Sequence, residues 1–125
     1  MASKITRHRI QGTTLADGTA TATTLNVVRG KIHTIVCDVG GLDNTADIEI
    51  TSPNDIVEQT ILDLTDQAAD VVVRPLVLCT SNTGGALTAT GNIYEQYCVF
   101  SKLTATITQG GDSKAFVIDV YVEEY

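Results

Sequence analysis

The residues that could hold a metal or act as nucleophiles are few and scattered. Two histidines, His8 and His33, and three cysteines, Cys37, Cys79 and Cys98, stand far apart in a chain of 125 residues. A structural zinc site draws thiolates and imidazoles from closely paired positions. Here there is no CxxC pair, and neither histidine has thiols or carboxylates at ligand spacing. The stretch Asp43-Asn44-Thr45-Ala46-Asp47 has the look of a calcium loop but fails its geometry. Loop position 6, which must turn sharply as Gly, is Ile48, and position 12, which must be a bidentate Glu, is Asn54. Ser81-Asn82-Thr83-Gly84-Gly85 has the glycines of a phosphate loop without its lysine, and no GxSxG or GxGxxG occurs. The expectation is a protein with no catalytic residue, no cofactor and no metal ligand, and therefore not an enzyme.

Charge narrows the partners. The net charge is −7, yet Lys4, Arg7, Arg9, Arg29 and Lys31 face only Asp17 within residues 1–31. Residues 32–125 hold three basic residues against 14 acids. An acidic body repels a phosphate backbone, so nucleic acid is excluded as a partner. The aromatic residues also do not interleave with basic ones as a base-stacking strand requires. No apolar run approaches the roughly 18 residues of a membrane span. A basic start on an acidic body can dock on an acidic neighbour, including another copy. Tyr94, Tyr97 and Phe100, clustered beside Cys98, read as core or interface packing, with a protein interface favoured for the two tyrosines because a tyrosine hydroxyl can stay wet while its ring is covered.

Three cysteines cannot all pair within one chain, and the start has no apolar stretch of a secretion signal. Synthesis in a reducing compartment is expected, with all three thiols free and buried as small hydrophobes.

The elements that must position these residues are strands. Hydrophobic residues make up 43% of the chain, too many for disorder, and they recur with a period of two. Leu103, Ala105 and Ile107 alternate with threonines. Phe116, Ile118, Val120 and Val122 alternate with Val117, Asp119 and Tyr121. The intervening Gly110-Gly111-Asp112-Ser113 predicts that the two runs form an antiparallel hairpin. Ile48 and Ile50 mark another strand, and residues 57–64 a further one, although Asp55 and Glu58 could open a short helix there. Residues 71–80 read as a strand covered on both faces, its regular pairing starting near Leu76 after Pro75. The expected core is Ile48, Ile50, Leu103, Ile107, Phe116, Ile118 and Val120.

Thr, the commonest residue, favours pleated surface. The fold class is all-β, an antiparallel β-sandwich of immunoglobulin-like or jelly-roll-like kind over residues 27–125. Residues 1–26 are Thr-rich and poor in large apolar groups. They are expected to form an extended arm that adds as a strand to a neighbouring copy or partner. Lys4, Arg7 and Arg9 would make its charged contacts, and Ile5 and Ile10 would be its apolar anchors.

Several segments occur in a characteristic order: Gly30-Lys31-Ile32-His33-Thr34-Ile35, Asp47-Ile48-Glu49-Ile50, Thr60-Ile61-Leu62-Asp63-Leu64-Thr65, Arg74-Pro75, Thr83-Gly84-Gly85, Tyr94-Glu95-Gln96-Tyr97-Cys98-Val99 and the 103–110 run. Over residues 27–122 this order resembles small β-sandwich structural proteins of tailed bacteriophages, which decorate or cement the capsid or sit at the neck and tail. Val71-Val72-Val73 stands where such proteins often carry aromatic residues before Arg-Pro. The resemblance implies a virion component made in the bacterial cytoplasm, with the major capsid protein or other virion subunits as partners and a homotrimer as its assembly. A neck, tail or fibre-attachment subunit, and a ligand-binding β-sandwich, are the alternatives.

Overall fold

A computed structural model describes residues 4–67, 69–78 and 94–124. They form an all-β, antiparallel sandwich. One sheet has the order β1 (Lys4–Thr13), β11 (Ala115–Glu124), β3 (Val28–Asp38) and β6 (Val71–Val73). In this sheet β9 (Cys98–Ser101) also pairs with β3, along Val28–Lys31, while β6 pairs along Ile35–Cys37. The second sheet has the order β2 (Ala20–Thr23), β10 (Thr104–Thr108), β4 (Asp47–Thr51) and β5 (Thr60–Leu64). A separate pair joins β7 (Leu76–Leu78) to β8 (Tyr94–Gln96).

The period of two sorts each strand into an inner and an outer face. Phe116, Ile118, Val120 and Val122 of β11 point inward beside Ile32, Ile35 and Cys37 of β3. Ile48 and Ile50 of β4 and Ala105 and Ile107 of β10 answer them from the second sheet, and together they form one core. All seven residues expected in the core are buried.

The expected hairpin between the 103–108 and 116–122 runs does not form. β10 and β11 lie in different sheets, and residues 109–114 cross between them. Alternation shows only that each strand buries one face, and two strands facing each other across a sandwich satisfy it as well as two neighbours in one sheet. The crossing is held by a second loop. Gly110 donates its N–H to the Gly18 carbonyl at 2.9 Å, and Asp43 donates to the Gly110 carbonyl at 3.0 Å. Buried Thr14 donates its N–H to the Lys114 carbonyl at 2.8 Å and receives the Lys114 N–H on its hydroxyl, also at 2.8 Å. Gln109, Gly111 and Ser113 all take positive φ, which winds the link tightly. A Cβ on Gly111 would stand 2.6 Å from the Asp43 carboxylate, so this loop is specific for glycine.

The expected arm is also corrected. Residues 4–13 pair with β11 of the same chain over ten positions, from Lys4 opposite Glu124 to Thr13 opposite Ala115. Residues 20–23 pair with β10. The apolar edge of β11 supplies a partner inside the subunit, and Ile10, expected as an anchor on a neighbour, is fully buried in this subunit's own core.

Two local expectations shift. The strand expected over 57–64 begins at Thr60, because the buried Ser52 ties off the preceding loop: its hydroxyl accepts the Gln59 N–H at 3.1 Å, and its own N–H reaches the Gln59 carbonyl at 3.0 Å. Ile56 and Val57 are left in solvent. The run around Pro75 is not covered on both faces. Residues on either side of the proline join different sheets, and Val72 and Leu76 are exposed.

Truncating Phe116 to Ala is expected to cost about 3–5 kcal/mol in urea unfolding, since the ring fills the space beneath Gly12 at the sandwich edge. Deleting residues 2–26 is expected to abolish cooperative thermal unfolding, because it removes an edge strand from each sheet along with Ile10. A truncated chain that melts as sharply as the full one would return this segment to the role of an arm.

Candidate functional site

The reactive side chains are dispersed by the fold. His8 points inward from β1, only 9% exposed at its side chain, with Nε2 2.8 Å from Glu124 Oε1. Thr6 donates its hydroxyl to the other oxygen of the same carboxylate at 3.3 Å. This polar clasp closes one end of the sandwich between the first and last strands. His33 occupies a β-bulge where β3 slips against β11, and its Nδ1 lies 2.6 Å from the Thr34 hydroxyl. The bulge has Gly30 close by: its φ is +139°, and a Cβ there would collide with the Glu123 carbonyl.

Cys37 is buried in the core, and burial pushes its thiol up to about 11, helped by the Asp70 carboxylate. That carboxylate terminates β3 by accepting the Val39 and Gly40 N–H groups at 2.9 and 2.7 Å. Cys98 departs from the expected burial. It lies on the outer face of β9 opposite Lys31 and is exposed. Cys79 and the Thr83-Gly84-Gly85 turn fall outside the described residues. Among the described residues no three of His, Cys, Asp and Glu come together as a metal-holding group. The Asp43–Asp47 stretch is a turn in which Ala46 donates to the Asp43 carbonyl and Asp47 accepts the Asp66 N–H.

What the fold builds instead is surface. Of the residues expected to contact partners, Lys4, Ile5, Arg7 and Arg9 are exposed on β1, the edge strand of the first sheet. One side of β1 is zipped to β11, and beside the other lie β2, with Ala22 3.8 Å from where a Cβ on Gly12 would stand, and the link residues Leu25 and Asn26. On its outer face Arg9 grips Asp119 with two hydrogen bonds, 2.9 and 3.0 Å. These bonds, then the charges of Arg9 and Arg7, hold the Asp119 carboxyl below its ordinary range. Arg7 sits beside Tyr121 and makes no ion pair among the described residues. Tyr94 is half exposed on β8, whereas Tyr97 packs partly against the core and its carbonyl accepts the Ile32 N–H at 2.9 Å. The seven residues therefore do not make one site. The four on the β1 edge belong together, and Ile10 and Tyr97 belong largely to the interior.

Sequence reasoning missed a second feature. Phe100, in an apolar run read as core or interface packing, is 61% exposed, and the Arg29 guanidinium lies 5.2 Å from its ring centre. The pair rims a hollow of about 330 Å³ lined by Gly30, Asp55, Cys98 and Val99. The Asp55 carboxylate accepts the Phe100 N–H at 3.2 Å, which ties to β9 the loop that carries the exposed Ile56 and Val57. An exposed aromatic and aliphatic group next to an arginine has the composition of an interface anchor. The available signal was the strict alternation of Cys98-Val99-Phe100-Ser101, in which Val99 and Ser101 point in and Cys98 and Phe100 point out.

The outer face of the second sheet has the opposite character. Asp47, Glu49 and Asp63 surround a hollow of about 250 Å³ with Thr106 and Thr108. None of the three carboxylates has an ion-pair partner among the described residues.

Neither a protein-family model, nor a curated protein, nor a solved structure matches the chain.

Iodoacetamide at neutral pH is expected to label Cys98 rapidly and Cys37 only on unfolding, because the raised thiol of Cys37 is both protonated and covered. Peptide mapping reads the two sites separately. Acid behaviour follows from Asp119. Its carboxyl is depressed in the folded state, so the stability it adds is present above its unfolded value and is lost as pH falls through the lower folded value. Asp119→Asn is expected to flatten the decline of melting temperature on the acid side, and an unchanged profile would remove the pair from this account.

Proposed function

We propose that this chain is a non-enzymatic structural subunit of a tailed-bacteriophage particle, a decoration or cement protein that binds the outside of the head and stabilises it. The order of strands and turns supports the phage assignment by resemblance. The observation that carries the structural role is the exposed Phe100 ring with the Arg29 guanidinium 5.2 Å from its centre, on the outside of a small, well-filled sandwich. An exposed aromatic ring beside an arginine has the composition of a contact anchor. A cement protein multiplies one modest contact over many identical positions, so a single anchored corner per subunit suffices. Its partner in this reading is the major capsid protein, and its compartment of synthesis is the host bacterial cytoplasm.

The test is the location and copy number of the chain in the particle that encodes it. Quantitative mass spectrometry is expected to find on the order of hundreds of copies, as a shell of symmetric subunits requires. About a dozen copies, the number of a closed ring, would move the protein to the neck or tail, and absence from the particle would end the reading. Phe100→Ser is expected to reduce binding to heads lacking the protein at least about tenfold while shifting stability by less than about 0.5 kcal/mol, as surface substitutions do.

A further inference from the structure

Two hollows adjoin at Arg29. The first is the one beside Phe100. The second, of about 440 Å³, is lined by Lys4, Asn26, Val27 and Glu124 together with Arg29. The shared arginine makes one trough of them, where β1 begins, β11 ends and the chain enters β3. Exposed apolar groups stand in both parts, Phe100 in the first and Val27 in the second. The charges of the trough are unevenly committed. Glu124 spends one oxygen on His8 and the other on Thr6. Asp55 accepts the Ile56 N–H on one oxygen and the Phe100 N–H on the other. The two cations are not spent in this way, because neither Arg29 nor Lys4 makes an ion pair among the described residues. Stacking on Phe100 occupies the face of the Arg29 guanidinium and leaves its in-plane N–H donors for an acceptor.

From this arrangement we infer that the trough receives an extended acidic segment of a partner protein, with an apolar side chain in the Phe100 hollow, a carboxylate on Arg29 and a second carboxylate at Lys4. The inference deepens the proposed contact with the capsid protein and rests on that reading for the identity of the partner. Size agrees with it: a cavity of about 150 Å³ already holds a benzene ring, so about 330 Å³ accepts a large apolar side chain. Charge orients the segment. Asp55 repels a carboxylate from the first hollow, so the apolar group enters there and the acid stops at Arg29. A nucleic acid carries a phosphate at every residue, which the acidic body and the two carboxylates of the trough oppose. The acidic hollow of a second copy, at Asp47, Glu49 and Asp63, is otherwise lined by threonines and brings no apolar side chain for Phe100. The exposed Ile56 and Val57 of a second copy are the competing occupant, and the experiment includes them.

The probe is a short capped peptide of alternating aspartate and leucine, titrated to millimolar concentration into the full, isotope-labelled chain while backbone amide resonances are followed. Saturable shifts are expected at Arg29, Gly30, Val99 and Phe100. Replacing aspartate by lysine in the peptide, or leucine by serine, is expected to weaken binding at least about tenfold. Arg29→Glu is expected to do the same to the parent peptide, with thermal melts establishing that the variant is folded; its side chain is exposed, so the core is undisturbed. No shift, equal binding of the lysine or serine peptide, or an unaffected Arg29→Glu chain would overturn the inference. So would tighter binding of an oligothymidylate, which would assign the trough to nucleic acid. Shifts of the same amides with protein concentration alone, lost in Ile56→Ser, would assign it to a second copy. None of these readings needs a particle. A chain that binds the peptide but is absent from particles keeps the trough and loses the capsid, and a chain abundant on heads that ignores the peptide does the reverse.

Discussion

The last strand, β11, is the element on which the rest of the sandwich depends. Four of its side chains, Phe116, Ile118, Val120 and Val122, enter the core, and both of its edges are hydrogen-bonded, to β1 on one side and β3 on the other. Its partners come from the first third of the chain. The native sheet therefore closes only when the two ends of the sequence meet, and His8 and Thr6 reaching Glu124 lock that meeting at its far end. Pairings so distant in sequence must overcome loop entropy before they are rewarded, which places this topology among the slower folders.

The same constraint explains why the chain switches sheets so often. β1, β3, β6, β9 and β11 share one sheet while β2, β4, β5 and β10 share the other, and β4–β5 is the one sequential hairpin among them. Each switch leaves a loop whose backbone groups need partners. The 14–18 turn, the 109–114 crossing and Asp43 satisfy one another at one end of the sandwich, and Ser52, Asp55 and Gln59 do the same beside β9. The loops are thus part of the fastening between sheets, and the second of them lends Asp55 to the hollow beside Phe100.

The surface follows from where the strands are placed. Here β1 carries basic residues and β5 lies beside carboxylates, so the charge asymmetry visible along the chain becomes an asymmetry between two sides of one molecule. Arg9 is committed to Asp119 and stabilises its own sheet, while Arg7 is left available. The division between these two arginines, two residues apart on the same face, is set by what β11 places opposite each of them: an acid for Arg9 and Tyr121 for Arg7.

The all-β class and the identity of the core were legible in the amino-acid order. A period of two survives any rearrangement of strands, because it reflects only that each strand covers one face, and so Ile48, Ile107 and Ile118 could be placed inside without knowing their neighbours. Lys4, Arg7 and Arg9 were legible as exposed through their charge, whereas Ile5 and Ile10, both read as anchors on a partner, separate into an exposed and a fully buried residue. Which strand lies beside which was not legible. Gly110-Gly111 serves a crossing between sheets as well as a hairpin, and only the bonds from Gly18, Asp43 and Thr14 select the crossing. The start of the chain looked too poor in apolar groups to order itself, and it does not order itself: β11 orders it, by a ladder between residues more than a hundred positions apart. The hollow beside Phe100 likewise exists because Asp55 binds the backbone of β9, a contact between distant segments that no local pattern encodes.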